Sequence, residues 1–400
     1  MVEKAEAEDT TYRKLRDYLD GLPGGYPSTE SGKDIECLKW MFTPEEAEVE
    51  VHLRMAPEPA SAIAKRCGKS EAETKRILDD MVKDGLIFPV KSGKDTLYMA
   101  LQYMTGFSEN LMSHRMDPET ARLGLDYMEE SGFLEEFARQ KQMRVVPVSE
   151  AVEATAAVAT YDNIREIIKQ QDVISLTDCP CRVLNAHLGK ACEHPIESEL
   201  LFGATAQYRI DNGFGRMIGV EEALELIDEA EEKAMVLAPV NTQEAIGMCL
   251  CGGCCCHWLR GLKLHERPAD HVQSSYQARI DPSLCNLCGT CLERCQMEAI
   301  VEKEDTMEVD LARCIGCGLC LPTCSEEAVS LVVREELPAP SPTYMGMVAR
   351  VAGERGLPMG KYEGLMKRNK LSTILKQFKF LHKLHIDGPV VNQMAKRGMV

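Results

Sequence analysis

Between residues 43 and 100 the apolar positions first recur at helical spacing and then turn strand-like. Thr43 can cap a helix, with Pro44 at its first position and Glu46 closing a capping box. Ser70 and Glu73 repeat the device before a helix over 71–84, which Gly85 ends. Residues 86–90 and 96–100 flank the turn 91–95 and predict a hairpin. Helical pattern returns over 110–150, with Pro118 a start behind Asp117. Residues 173–177 read as a buried strand running into cysteines. An amphipathic helix over 220–234 then precedes a strand over 235–240. Short strands follow at 278–280, 299–301, around Val309 and at 329–333. Leu371, Ile374, Leu375, Phe378, Leu381 and Leu384 predict one more amphipathic helix, filled in with Lys370, Lys376, Lys379 and Lys383.

A chain of 400 residues has room for two to four domains. The pattern predicts an α+β multidomain protein. Residues 1–110 form a helical unit with a hairpin, 111–144 a helical connector, and 145–275 an α/β cysteine-rich domain. Residues 276–336 form a small β-paired domain, and 337–400 a proline-rich linker with a basic amphipathic tail. No apolar run is long enough to span a membrane, and the charged N-terminus lacks a signal peptide's apolar core. A cytoplasmic location is the expectation. The net charge of −17 is uneven, since residues 337–400 carry 11 Lys and Arg against 3 Asp and Glu. Such a tail suits docking on an acidic partner, on the chain's own acidic body, or peripherally on an anionic membrane surface.

Eighteen cysteines change the picture most. In a reducing compartment that number points to metal ligands rather than disulfides. Cys37 and Cys67 stand apart and read as small apolar residues. Two runs have the form C-x2-C-x2-C-x3-C: Cys285, Cys288, Cys291, Cys295 and Cys314, Cys317, Cys320, Cys324. Thiolates at this spacing wrap an iron–sulfur cubane by soft-on-soft ligation.

This segment resembles the bacterial two-cluster [4Fe-4S] ferredoxins over about 60 residues. The resemblance implies crossed ligation. Cys285, Cys288, Cys291 and Cys324 then hold one [4Fe-4S] cluster; Cys295, Cys314, Cys317 and Cys320 hold the second. One departure stands out: the usual proline after each fourth cysteine is Gln296 in one run and Ser325 in the other. Residues 43–100 resemble a MarR-like winged helix. The charges argue against DNA binding, because the helix that would enter the groove carries Glu71, Glu73, Asp79, Asp80 and Asp84 against Lys75, Arg76 and Lys83.

Eight further cysteines precede the ferredoxin segment: Cys179, Cys181, Cys192, Cys249, Cys251, Cys254, Cys255 and Cys256. Their spacing fits no common zinc finger or thioredoxin motif. One or two additional iron–sulfur clusters, a zinc site and a redox-active thiol site all remain open, and contiguous Cys254–Cys256 cannot easily all face one cluster. Arg182 and His194 are placed to donate to sulfur or to a substrate, with a salt bridge or cap the plainer alternative; Glu197 and Glu199 read as solvated acids. Gly213, Gly215 and Gly219 are one residue too widely spaced for a dinucleotide fingerprint and read as a turn.

Three functions follow as expectations. One is an electron-transfer subunit serving redox partner proteins, of a kind associated with anaerobic metabolism. Another is a reductase with its catalytic cluster or thiols at 179–256. The third is an iron–sulfur transcriptional sensor. Crossed ligation couples metal binding to folding. Cys317→Ala or Cys291→Ala is therefore expected to lose one cluster and destabilise the other; iron analysis finding the ferredoxin segment's full complement in either variant would refute the assignment.

Overall fold

A computed structural model describes residues 2–148, 162–334 and 339–358. Helices Val2–Asp20, Lys33–Met41 and Pro44–Glu50 open the chain. The short strand β1 (Glu58–Pro59), helices Ala60–Cys67 and Glu71–Lys83, and the hairpin β2 (Ile87–Ser92) and β3 (Asp95–Ala100) follow. The Thr43–Glu46 capping box forms, and Ser70 accepts from the Glu73 amide. The strands order β1-β3-β2, all antiparallel. The hairpin is tighter than the sequence pattern indicates. Pairing extends to Ser92 and Asp95, because Gly93 takes a φ of +62° and closes a two-residue loop.

Helices Ser108–His114, Pro118–Glu130 and Phe133–Arg139 occupy the expected connector. They are a structural hub rather than a spacer. Tyr127 stacks on Tyr26 at 4.6 Å, tying them to the first helices. On the other side, helix Phe133–Arg139 lies against helix His257–Leu264. A Cβ on Gly261 would fall 2.2 Å from the Leu134 carbonyl oxygen, so only glycine permits this approach.

The middle segment holds β4 (Ile174–Asp178), β5 (Glu197–Phe202), β6 (Arg216–Ile218), β7 (Val236–Pro239) and β8 (Gly247–Cys251). Their order is β6-β4-β5-β8-β7, and every pairing is antiparallel. This corrects the α/β expectation. Alternating helices and strands do not reveal strand direction, and here every hydrogen-bonded pair of neighbouring strands runs antiparallel. Helices Ile164–Lys169 and Val220–Glu232 pack beside the sheet around Ile168, Leu176, Leu200, Ile227 and Leu237. Gly215 sits at a turn so close to β4 that a Cβ would meet Thr177 Cγ2 at 2.4 Å.

The last β-rich segment pairs β9 (Tyr276–Ile280) with β12 (Val329–Val333), and β10 (Ile300–Glu302) with β11 (Met307–Val309). One apolar core runs from Tyr12 through Cys256, Cys291 and Cys314 to Ala352. The stretch expected to be a linker is pinned: the Gln243 amide donates to Ser341 O at 2.8 Å and its side chain to Pro340 O at 3.0 Å. Helix Tyr344–Glu354 buries Met347, Val348, Val351 and Ala352, and Arg350 and Arg355 donate to carbonyls of Lys141 and Leu22. This part of the basic segment packs back on the body. The amphipathic pattern over 371–384 lies outside the described residues. No helix among the described residues is long and apolar enough to cross a membrane.

Glu50 is fully buried with both carboxylate oxygens unpartnered, and burial pushes its pKa up to about 8. The native state holds a proton that the unfolded chain releases near pH 4.5. Stability is therefore full below that pH and lost as pH rises towards about 8, by about 1.4 kcal/mol per pH unit. Glu50→Gln is expected to flatten this slope in denaturation curves taken between pH 5 and pH 8.

Candidate metal centres

In the ferredoxin-like segment, positions far apart in sequence converge. One cavity is lined by Cys285, Cys288, Cys291 and Cys324. A second is lined by Cys295, Cys314, Cys317 and Cys320. The pairing β9–β12 carries Cys324 back beside the first run, and Asp310 N bonded to Ala299 O at 2.7 Å holds the second run beside Cys295. Backbone amides point at sulfur: Ala278 N donates to Cys314 Sγ at 3.4 Å and Ala299 N to Cys295 Sγ at 3.2 Å. Such donors stabilise thiolate and tune a bound cluster. Gly316 has no room for a Cβ, which would lie 2.0 Å from Tyr276 O.

The two cavities differ in exposure. Cys288 is exposed, and so are Leu284, Leu287 and Leu292, its neighbours within four residues along the chain. Backbone hydrogen bonds from Met307 and Leu287 hold the Cys285 thiol below its usual pKa, and Thr290 does the same for Cys288. The other set is inside: burial pushes Cys317 up to about 12 and Cys320 well above its ordinary value. A buried thiol of that kind ionises only when a metal takes the proton's place.

The eight upstream cysteines separate into two groups. Cys249 and Cys251 alternate with Leu250 along β8 and so share one face of the sheet. Cys179 ends β4's exit, and Cys181 lies in the helix Pro180–His187 that follows. With Cys255 and Cys256 they line a single buried cavity. Cys256 Sγ lies 3.4 Å from Cys251 Sγ, and the His257 amide donates to Cys181 Sγ at 3.3 Å. Cys256 stands at the start of the helix His257–Leu264, and hydrogen bonding with Cys181 and Cys251 holds it well below its ordinary pKa. Cys192 and Cys254 stand outside this cavity with Cys255 between, Cys192 Sγ lying 3.7 Å and Cys254 Sγ 3.8 Å from Cys255 Sγ. Burial raises the Cys192 thiol, but hydrogen bonds from the His194 backbone, Cys255 and Cys254 bring it down to about 7.

Several buried polar groups lie around the cavity, and of these only Arg182 stood out in the sequence. Both ring nitrogens of His257, the indole nitrogen of Trp258 and Arg182 Nε have no hydrogen-bond partner. Buried N–H groups are rarely left so. Clustered around thiols, they suit an anionic sulfide-bearing group that accepts from them. Arg182 is buried, not a surface cap: it donates to Pro195 O and Leu250 O at 2.8 Å each and to Ser198 Oγ. That clamp ties the Cys179–Cys181 turn to β8. Glu109 also lines the cavity, and burial raises it to about 7. Glu199 is not a solvated acid. It is buried, accepts from Thr177 at 2.8 Å and pairs with Arg209 at 3.6 Å. Glu197 does stay near the surface, paired with Arg216.

Gln296 explains the missing proline. Its side-chain Oε1 accepts from Gly253 N at 2.6 Å. A Cβ on Gly253 would lie 2.5 Å from Gln296 O. The residue after Cys295 thus touches the loop between Cys251 and Cys254, and the second ferredoxin cavity abuts the upstream thiols.

Residues 278–301 match the family model of the 4Fe-4S binding domain, a stretch that includes Cys285, Cys288, Cys291 and Cys295. No curated protein and no solved structure matches the chain. The chain carries a 4Fe-4S binding domain, and its many cysteines suggest an iron–sulfur electron-transfer protein. Gly253→Ala is expected to force the two cysteine regions apart, costing about 1–3 kcal/mol as overpacking does; a thermal melt of the metal-loaded protein unchanged from wild type would contradict the close approach.

Proposed function

We propose that the chain relays electrons between redox partner proteins through three iron–sulfur centres. Two are [4Fe-4S] clusters in the crossed cysteine sets, and the third is held by Cys179, Cys181, Cys249, Cys251 and Cys256. When bound, the clusters supply one-electron chemistry; the protein sets their spacing, exposure and contacts. The hydrogen bond from Gly253 to Gln296 carries the reading, because it joins the inner ferredoxin set to the buried cavity through one short covalent and hydrogen-bonded path. The exposed rim at Cys288 gives a partner access at the other end. The sensor reading finds no support in the 71–83 helix, where Lys75 pairs with Asp79, Arg76 with Glu45 and Asp80, and Lys83 with Asp80. Cations already neutralised are poor ligands for phosphate. The winged-helix-like unit is better read as a packing and docking element. The decisive experiment is iron and acid-labile sulfide analysis of anaerobically purified protein, with low-temperature electron paramagnetic resonance after reduction. About twelve irons per chain are expected for three four-iron centres. About eight would remove the third.

A reductase remains the second reading, favoured by Glu109 and His257 on the buried cavity. The two readings separate on one measurement. If Glu109 supplies a proton with each electron, the buried centre's potential falls by about 59 mV per pH unit above pH 7 and Glu109→Gln makes it flat. A plain relay shows no such slope in wild type.

A further inference from the structure

We propose that Cys192, His194, Cys254 and Cys255 hold one zinc ion in tetrahedral Cys3His coordination, separate from the iron–sulfur centres. Among the described residues, this is the one cysteine group whose three thiols all lie within 4.8 Å of one another. Sγ separations of 3.7 Å and 3.8 Å link Cys255 to Cys192 and to Cys254. With Zn–S bonds of about 2.3 Å, the edge of a tetrahedron is about 3.8 Å. Thiolates on a cubane each bind a different iron and stand wider, as the two ferredoxin sets do. The geometry therefore points to a single ion.

His194 stands at the edge of this set, not within 4.8 Å of every thiol, and is the fourth ligand of the proposed site. Its Nδ1 lies 3.9 Å from Cys254 Sγ, against the edge of about 3.5 Å that zinc–nitrogen and zinc–sulfur bonds give. Its other nitrogen, Nε2, lies 3.1 Å from Lys233 O. Donation there fixes the tautomer and leaves the Nδ1 lone pair facing the thiols, the outer-shell arrangement of metal-binding histidines. Gly252 leaves the space this requires, since a Cβ there would stand 3.1 Å from the His194 ring and 3.3 Å from Cys254 Sγ. The site joins residues on either side of a chain crossing: Cys192 and His194 from the loop before β5, and Cys254 and Cys255 from the loop after β8. Zinc binding displaces three thiol protons and involves no change of oxidation state. Its role is to clamp these loops beside the Gly253–Gln296 contact.

The test uses full-length protein purified without oxygen. Elemental analysis is expected to find about one zinc per chain beside the iron. Growth or reconstitution with Co2+ in place of zinc is expected to give the visible ligand-field bands of tetrahedral cobalt thiolate. Cys254→Ser should lose the zinc and those bands while iron and sulfide stay at the wild-type level, and His194→Cys should keep the ion. Wild-type protein without zinc and without tetrahedral cobalt bands overturns the proposal, and so does a Cys254→Ser protein that loses iron. The wild-type cobalt spectrum decides even where the variant fails to fold. The iron count tests the relay independently, so the two readings can fail separately.

Discussion

A thiol buried among apolar side chains stays protonated unless a metal replaces its proton, and most of this molecule is arranged around that constraint. Cys256, Cys291, Cys314 and Cys320 are part of the same continuous core as Tyr12 and Ala352. Ligation and apolar packing therefore occur in one volume. Burial raises Cys317 and Cys320, while backbone amides lower Cys285 and Cys288. Cys285 and Cys288 are electrostatically ready for a metal, while Cys317 and Cys320 depend on one to ionise. The hub helix Phe133–Arg139 extends the dependence further, since it presses on the helix that starts directly after Cys256.

The ferredoxin-like segment was legible because its chemistry is local. Three thiols within seven residues already describe one corner of a site, and short strands on both sides bring the fourth. The upstream field was less legible for the opposite reason. Its ligands come from the end of β4, the face of β8 and two loops, and only antiparallel pairing of β5 with β8 and β7 with β8 brings these together. Spacing left open how the three adjacent cysteines divide; Cys255 and Cys256 line one cavity and Cys254 lies outside it. Burial of Arg182 and Glu199 was also invisible, because partners on other elements, such as Leu250 and Thr177, leave no mark in a residue's own neighbours. Gln296 was noticed as a departure from a motif, and its reason lay in a loop more than forty residues earlier.

The first 140 residues show what helix caps and apolar period can establish. Thr43, Ser70 and Asp117 each act as the expected cap. What they could not show is that the supposed connector is the joint between the N-terminal helices and the cysteine-bearing half. That joint rests on glycine at 261 and on aromatic stacking at Tyr26 and Tyr127, features with no periodicity to read.

The exposed leucines close to Cys288 in the chain have a kinetic meaning. Three exposed apolar side chains form a contact far smaller than a stable protein interface, which buries roughly 1,200 Å² or more. Small apolar patches still pull a partner close by excluding water, yet they hold it briefly, because residence time is governed mainly by dissociation. In the proposed relay such brevity would be useful, because throughput would be limited by how soon the spent partner leaves and frees the surface. There the leucines would set a dwell time rather than an affinity.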